Sequence, residues 1–135
     1  MSMSNEDKVV LVLEDERPLL EAIKLKLEKN SFEVVTARTV EQAKQYVDDL
    51  VKVDVIWLDH YLLGKENGLD FVAWCKEENN AKCKNIPIFV VSNTASADKV
   101  STYMRLGAKE YFVKSNHRLD EIVKAIADYL NKGIE

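Results

Sequence analysis

The chain has 135 residues, of which 47% are hydrophobic and 31% charged, and its formal net charge is −4 at pH 7. This composition is typical of one globular domain and excludes disordered and fibrous chains. Basic and acidic residues are interspersed and no apolar run is long enough to cross a bilayer, so we expect neither a nucleic-acid nor a membrane partner. The opening "MSMSNEDK" lacks the apolar segment of a secretion signal, which favours a cytoplasmic location.

Five short apolar runs, rich in Val, Ile or aromatic residues, have the length and composition of β-strands. They cover residues 8–13, 32–37, 53–58, 86–91 and 109–114. The first, third and fourth runs are apolar almost throughout, as in central strands of a parallel sheet that is covered on both faces. The second run, "FEVVTA", ends without a polar group comparable with those of the other runs, which indicates an edge strand.

An amphipathic stretch with helical spacing follows each run. The apolar positions that mark these helices are Leu20, Ile23 and Leu27; Ala43, Val47 and Leu50; Leu69, Val72 and Ala73; Val100, Tyr103 and Met104; and Leu119, Ile122, Val123, Ile126 and Leu130. Pro18 fits the first turn of the first helix, and Thr39 with Gln42 forms a capping box before the second. Gly107 ends the fourth helix. Five β–α units with right-handed crossovers predict an α/β fold with a parallel, doubly wound sheet.

Polar residues gather at the predicted carboxyl ends of four strands, the edge of a doubly wound sheet at which ligands bind. They are Glu14, Asp15 and Glu16 after the first strand, Asp59 after the third, Ser92 and Asn93 after the fourth, and Lys114 and Ser115 after the fifth. Crowding of the carboxylates would push at least one of them towards protonation, and a divalent cation relieves that repulsion. Mg²⁺ prefers hard oxygen ligands and often binds a phosphate oxygen as well. The sequence therefore predicts a magnesium site, beside which Lys114 supplies another positive charge.

Each of these residues has an ordinary explanation when it is taken alone. Three acids at a helix start suit the helix dipole, Asp59 suits a loop cap, and Lys114 suits a solvated strand end. Their combination at one edge of the sheet is what favours a site. The first β–α turn, "LEDERPLL", has three acids and no glycine, which argues against the phosphate-binding turn of nucleotide-binding folds.

Five stretches contain the acid pair, the central aspartate, the hydroxyl and the lysine in one characteristic order. They are "VLVLEDE", "VIWLD", "NGLDFV", "IPIFVVSN" and "LGAKEYFVK". In these stretches the chain resembles the receiver domains of two-component response regulators, of the stand-alone chemotaxis-regulator type. The resemblance extends over nearly the whole chain, and it implies a flavodoxin-like (βα)5 fold with strand order 2-1-3-4-5. We expect a single receiver domain in residues 1–135, with a core of about 8–131 and no output domain.

The resemblance implies a role for each residue of the predicted site. Asp59 would be the phosphoacceptor. Asp15 would bind magnesium directly and Glu14 through water, with Asp59 and the backbone carbonyl of Tyr61 as further ligands. Lys114 would pair with the phosphoryl group.

The resemblance also implies a switch and its partners. Ser92 would hydrogen-bond the phosphoryl oxygens, and Tyr111 would turn inward as Ser92 moves. The phosphoryl group would come from a histidine kinase or a histidine phosphotransfer protein. A downstream protein target or a second copy would bind the face formed by the fourth helix, the fifth strand and the fifth helix. No enzymatic activity is expected beyond phosphorylation and dephosphorylation of the domain itself.

The sequence departs from the family pattern at four positions. Leu63 replaces a usual proline, and the loop between Asp59 and Gly68 is one residue longer than usual. Asn93 stands where a small residue is usual and could narrow access to the phosphoacceptor. Serine replaces the proline that usually follows the lysine, so we expect a trans peptide bond between Lys114 and Ser115.

The remaining notable residues are assigned to packing. Cys75 and Cys83 have neither metal-motif nor redox-motif spacing. We expect Cys75 to be a core-facing or half-buried helix residue and Cys83 to lie in a loop. Alternation along the strand points His60 away from the cleft of Asp59, which favours a surface or helix-covered histidine. Trp57 and Trp74 are expected to pack in the interior.

Two other functions are compatible with the fold. A pseudo-receiver would keep the architecture as an interaction module without phosphate control, although the intact charged residues argue against it. An aspartate-nucleophile phosphatase would need an acid/base Asp two residues after the nucleophile, and that position is Tyr61. The sequence leaves open whether the domain acts alone or belongs to a longer chain.

Overall fold

The computed structural model describes residues 8–49 and 52–132, and in it five parallel strands form one sheet in the order β2-β1-β3-β4-β5. The strands are β1 (Val9–Leu13), β2 (Glu33–Ala37), β3 (Val55–Leu58), β4 (Ile88–Ser92) and β5 (Glu110–Val113). The helices are α1 (Arg17–Lys29), α2 (Val40–Asp49), α3 (Gly68–Cys75), α4 (Ala97–Leu106) and α5 (Leu119–Lys132), and Lys114–Asn116 forms a short 3₁₀ turn. The predicted fold class and strand order are confirmed.

The three central strands differ from the two edge strands in burial. Every residue of β1, β3 and β4 is buried. Only Ala37 of β2 and Phe112 of β5 are buried, and these strands form the edges of the sheet. The prediction that the second strand lies at an edge is therefore confirmed.

Alternating side chains of the central strands pack into two separate apolar layers, because successive residues of a strand point to opposite faces of the sheet. One layer joins Leu11, Ile56 and Val90 to α2, α3 and α4. The other joins Val12 and Trp57 to α1 and α5. Together the layers cover both faces of the sheet and leave the carboxyl ends of the strands as the accessible edge.

The helix boundaries follow local signals in the sequence. Pro18 lies in the first turn of α1, and Gly107 ends α4 with a φ of 115°. Before α2, the backbone N–H of Gln42 donates to the Thr39 hydroxyl at 3.0 Å. The side chain of Gln42 accepts from the backbone N–H of Arg38, one residue earlier than in a standard capping box.

Two of the apolar positions that marked the predicted helices are exposed, and one lies outside the described residues. Met104 is 43% exposed, because the buried side of α4 is centred on Tyr103. Ala73 is exposed, since the short helix α3 buries Phe71, Val72 and Cys75 instead. Leu50 is not among the residues that the structure describes.

Cys75 and Cys83 form a disulfide bond, which the sequence analysis missed. Both residues are fully buried, Cys75 at the end of α3 and Cys83 in the turn-rich segment that follows. The pairing arises because that segment folds back on α3: Cys83 donates its N–H to the Asn80 carbonyl oxygen at 3.3 Å, and the Asn80 amide donates to the Trp74 carbonyl oxygen at 3.0 Å. Spacing alone does not reveal such a turn.

No helix in the described part of the chain combines the length and the apolar character that crossing a membrane requires.

Candidate functional site

The carboxyl ends of β1 and β3 bring three carboxylates together. These strands are hydrogen-bonded neighbours, and the ladder continues past them, since the Asp59 N–H donates to the Leu13 carbonyl oxygen at 3.0 Å. One ligand atom from each of Glu14, Asp15 and Asp59 lies within 4.8 Å of the other two. Glu14 and Asp59 are 1% and 4% exposed. This oxygen-only, anionic donor set fits a hard divalent cation.

Lys114 provides the only ammonium that the structure places between these carboxylates among the described residues. Its Nζ lies 3.1 Å from Glu14 Oε1 and 3.5 Å from Asp59 Oδ1. The lysine follows β5, so its side chain reaches across the end of β4 to the acids at the ends of β1 and β3. The buried charge of Asp59 is therefore partly, but not fully, balanced.

The pKa values of the buried acids show this imbalance. Burial raises the pKa of Asp59 to about 7, and repulsion from Glu14 adds to the rise. The attraction of Lys114 and a hydrogen bond from the His60 backbone N–H lower that pKa, but less strongly. Burial likewise raises the pKa of Glu14 despite its contact with Lys114. One ammonium does not offset two buried carboxylates, which leaves room for a further cation.

A cleft of about 360 Å³ opens above these groups. It is lined by Glu14, Asp15, Glu16, Asp59, Tyr61, Asn93 and Lys114. The side chain of Tyr61 is 59% exposed at the rim. Asn93 is exposed and lines the same cleft.

Ser92 and Tyr111 lie beside this cleft and do not line it. Ser92 is the last residue of β4 and fully buried, and its hydroxyl accepts from the Thr94 N–H at 3.3 Å. The Tyr111 hydroxyl donates to the Thr94 carbonyl oxygen at 2.7 Å. The two residues of the predicted switch are thus joined through Thr94, which the sequence analysis did not single out.

Arg38 is a second residue that the sequence analysis missed. It follows β2, and its guanidinium donates from Nε and Nη2 to the Asp15 carbonyl oxygen at 3.2 and 2.8 Å. The contact fixes the backbone of the acid pair from the edge of the sheet. The available signal was strand adjacency: β2 neighbours β1, so a long donor just after β2 reaches the turn that follows β1.

The loop after Asp59 is anchored at both ends. The Leu63 N–H donates to the Arg38 carbonyl oxygen at 3.1 Å, and the Gly68 N–H donates to the His60 carbonyl oxygen at 3.0 Å. Gly64, with a φ of +93°, turns the loop between these anchors. The longer loop, with Leu63 in place of the usual proline, therefore packs against the residues just before α2. The described residues contain no cis peptide bond, so Lys114–Ser115 is trans as expected.

His60 lies on the other side of β3 from the cleft, as alternation predicted. It is 3% exposed beneath α4, with Nδ1 2.6 Å from the Tyr103 hydroxyl oxygen and Nε2 3.2 Å from Lys99 Nζ. Burial lowers the pKa of the imidazole, and the positive charge of Lys99 lowers it further. This is the helix-covered histidine that the sequence favoured.

Comparison with known proteins agrees with this geometry. The family model for the response regulator receiver domain matches residues 10–127. The alkaline phosphatase synthesis transcriptional regulatory protein PhoP of Bacillus subtilis is 30% identical over 122 residues, which are 89% of this chain and 48% of that protein. The phosphate regulon transcriptional regulatory protein PhoB of Pseudomonas aeruginosa is 29% identical over 107 residues, 79% of this chain and 45% of that protein. The chain thus spans less than half the length of either relative.

Solved structures with the same fold include response regulators. The phosphorylated cyanobacterial phytochrome response regulator RcpA is 27% identical with a TM-score of 0.79, over 90% of this chain and 92% of that one. The Mn²⁺-bound form of response regulator Rcp1 shares the fold, with a TM-score of 0.78 at 22% identity over 91% and 94% of the two chains. Receiver domains are phosphoacceptor signalling domains with an acidic pocket for a divalent metal, and Glu14, Asp15 and Asp59 form such a pocket here. Because the family model matches most of this chain, the chain belongs to the receiver domains of two-component response regulators.

Proposed function

We propose that Asp59 accepts a phosphoryl group from a histidine kinase or a histidine phosphotransfer protein, in a reaction that depends on Mg²⁺. The observation that carries this proposal is a buried, incompletely balanced carboxylate that lies between an acid pair and a lysine at the floor of a cleft. The similarity to a response regulator that has been solved in its phosphorylated form supports it.

Glu14, Asp15, Asp59 and the backbone carbonyl of Tyr61 would hold the magnesium ion. When bound, the ion would withdraw charge from the oxygens of the transferred group. The residues fit this ion because their donors are hard oxygens whose mutual repulsion the ion removes. The divalent metal is general to the family, and its identity as magnesium is our proposal.

The protein's own groups account for the rest of the reaction. One oxygen of ionised Asp59 attacks phosphorus, and the bond from phosphorus to the donor nitrogen breaks as the new bond forms. The bonding electrons leave with the donor nitrogen, and the donor histidine returns to neutral imidazole because its other ring nitrogen carries a proton. Lys114 is close enough to Asp59 to follow the charge as it moves onto the phosphoryl oxygens. Hydrolysis by water later restores the carboxylate and releases phosphate, so the domain carries out no turnover beyond its own reset.

The acyl phosphate carries a charge near −2 where the carboxylate carried −1, in a site in which the acids already repel one another. We propose that Ser92 moves towards the phosphoryl oxygens and so disturbs its contact with Thr94, whose carbonyl oxygen accepts from Tyr111. The face of α4, β5 and α5 would then bind a downstream protein or a second copy. A ligand shifts a two-state equilibrium only through contacts that differ between the states, and Ser92 and Lys114 provide such contacts.

Intact-mass analysis after treatment with acetyl phosphate or phosphoramidate, with and without Mg²⁺, tests the proposal. The wild-type protein should gain the mass of one phosphoryl unit only with the ion, and Asp59→Asn should gain none. Asp128→Asn is a matched control, because Asp128 is an exposed aspartate that contacts Lys124 far along α5. A gain in Asp59→Asn equal to that in the control would reject the site. No gain in the wild type would favour the pseudo-receiver.

We further propose that residues 1–135 act as one receiver unit. The longer relatives, of which the matched residues make up less than half, are named transcriptional regulatory proteins. Our expectation that nucleic acid is not a partner therefore applies to this domain and not to any longer protein that contains it.

A further inference from the structure

The side chain next to the phosphoacceptor is held on two sides by α4. His60 Nδ1 lies 2.6 Å from the hydroxyl oxygen of Tyr103, and Nε2 lies 3.2 Å from Lys99 Nζ. His60 is 3% exposed and Tyr103 is fully buried. Both ring nitrogens of a buried histidine are thus in contact with one helix.

The chemistry of the partners fixes the direction of both hydrogen bonds. A lysine ammonium has only donors, so Nε2 of His60 must accept from Lys99. In a neutral imidazole the other nitrogen then carries the proton, so Nδ1–H donates to the Tyr103 oxygen. Rotation of the ring would break both contacts, and the ring therefore has one orientation relative to α4.

The backbone of the same residue holds the phosphoacceptor and the start of α3. His60 follows Asp59 directly in the chain, and the His60 carbonyl oxygen accepts from the Gly68 N–H at 3.0 Å. The space around these groups is tightly packed. A Cβ on Gly68 would lie 2.3 Å from the Tyr103 hydroxyl oxygen and 3.0 Å from the Asp59 carbonyl oxygen. The carboxylate of Asp59, the first residue of α3 and the buried side of α4 therefore meet at His60.

We propose that His60 is a positioning residue that ties Asp59 to α4, so that a change at Asp59 reaches α4 through Tyr103 and Lys99 as well as through Ser92 and Tyr111. This link rests on the proposed phosphorylation of Asp59. Esterification of the carboxylate adds phosphoryl oxygens next to the His60 backbone, which is bonded directly to Asp59, and so shifts that backbone. Since the ring cannot turn without losing two hydrogen bonds, the shift is passed to α4.

Two variants remove the link without removing a residue of the site. Tyr103→Phe deletes one hydroxyl and keeps the buried ring, and Lys99→Met deletes the ammonium from a half-buried position. Thr102→Ala is the matched control on α4, because the Thr102 hydroxyl donates to the Asp98 carbonyl oxygen within the helix. For each protein we would measure phosphoryl gain by mass, the ¹⁵N spectrum of the His60 ring, and hydrogen exchange of residues 97–106 with and without Mg²⁺ and beryllofluoride.

The expected wild-type ring is the Nδ1–H tautomer, and beryllofluoride should change both its signals and the exchange of residues 97–106. Tyr103→Phe and Lys99→Met should gain the phosphoryl unit to the same extent as the wild type. The change in hydrogen exchange of residues 97–106 that beryllofluoride causes should be about fivefold smaller in these variants, as expected for one lost hydrogen bond. Thr102→Ala should respond as the wild type does.

Three results would contradict the link, and they are distinguishable. An Nε2–H tautomer in the resting protein overturns it directly. A full α4 response in phosphorylated Tyr103→Phe and Lys99→Met overturns the link alone and leaves the proposed function intact. A wild-type protein that gains no phosphoryl unit overturns the proposed function and the link together.

Discussion

Asp59 and His60 are adjacent in the chain and similarly buried, yet their polar groups are in opposite situations. Asp59 faces a solvent-accessible cleft, where one lysine contacts two buried carboxylates. The pKa of Asp59 therefore rises to about 7. His60 faces α4, where each ring nitrogen has its own partner. Burial of an ionisable group costs free energy unless partners offset it. The comparison indicates that a ligand belongs on the Asp59 side, whereas the His60 side is complete without one.

The largest expected effect follows from removing the charge of Asp59 in the metal-free protein. Below about pH 4 the carboxyl group of Asp59 is protonated in both the folded and the unfolded protein. As pH rises towards 7, the unfolded chain releases this proton while the folded protein keeps it, so the free energy of unfolding falls. From the values of 3.8 and about 7, the loss above pH 7 is on the order of 4 kcal/mol. Asp59→Asn should recover most of it at pH 8 and little at pH 4.

Denaturant unfolding at both pH values, in the presence of a chelator, measures this difference. Asp128→Asn should change stability little at either pH, since its partner Lys124 and Asp128 itself are both exposed. If Asp59→Asn were equally stable relative to the wild type at pH 4 and pH 8, the cleft would not hold Asp59 in the unbalanced state that the comparison describes.

Magnesium should reverse the instability on the Asp59 side and leave the His60 side unaffected. At a concentration 100 times its dissociation constant, a ligand that binds only the folded state stabilises it by about 2.7 kcal/mol. Asp15→Asn should lose most of this gain. The same variant should slightly stabilise the metal-free fold, because Asp15 adds to the repulsion that raises the pKa of Glu14. Thermal midpoints with and without Mg²⁺ check both effects, and an unchanged magnesium response would remove Asp15 from the site.

On the His60 side, the expected perturbation is steric. Gly68→Ala would place a methyl group 2.3 Å from the Tyr103 hydroxyl oxygen, and such overpacking typically costs about 1–3 kcal/mol. Tyr103→Phe removes the clashing oxygen, so the double variant should lose less than the sum of the single losses. Additive losses in a double-mutant cycle would show that Gly68 and Tyr103 do not share this contact.

The sequence predicted the Asp59 side far better than the His60 side, for a physical reason. Apolar runs and helical spacing predict a parallel sheet, and the resemblance to receiver domains implies its strand order. Since the carboxyl ends of parallel strands share one edge of the sheet, Glu14, Asp15, Asp59 and Lys114 could be placed together in advance. Contacts between helix side chains depend on the rotation of each helix and on side-chain length. No pattern in the sequence therefore predicted the contact of His60 with Tyr103 or the disulfide bond between Cys75 and Cys83.

Arg38 and Thr94 illustrate the same limit at shorter range. Both lie close to predicted strand ends, so their general location could be inferred. Their function as backbone partners of Asp15 and Tyr111 depends on side-chain reach and on one carbonyl orientation each. Composition and spacing carry no information about those two features.

The smallest expected effect concerns the connection between the two sides. Tyr111 donates to the Thr94 carbonyl oxygen at 2.7 Å, and its ring centroid lies 5.7 Å from that of Tyr103, so it touches both the Ser92 network and the His60 network. Tyr111→Phe keeps the ring and removes one half-buried hydrogen bond, which should cost about 0.5–1.5 kcal/mol. Phosphoryl gain should be nearly unchanged, because Tyr111 does not line the cleft. Denaturant unfolding and the mass assay measure these two quantities, and a severe loss of phosphorylation would mean that Tyr111 belongs to the cleft side of the molecule and does not connect it to α4.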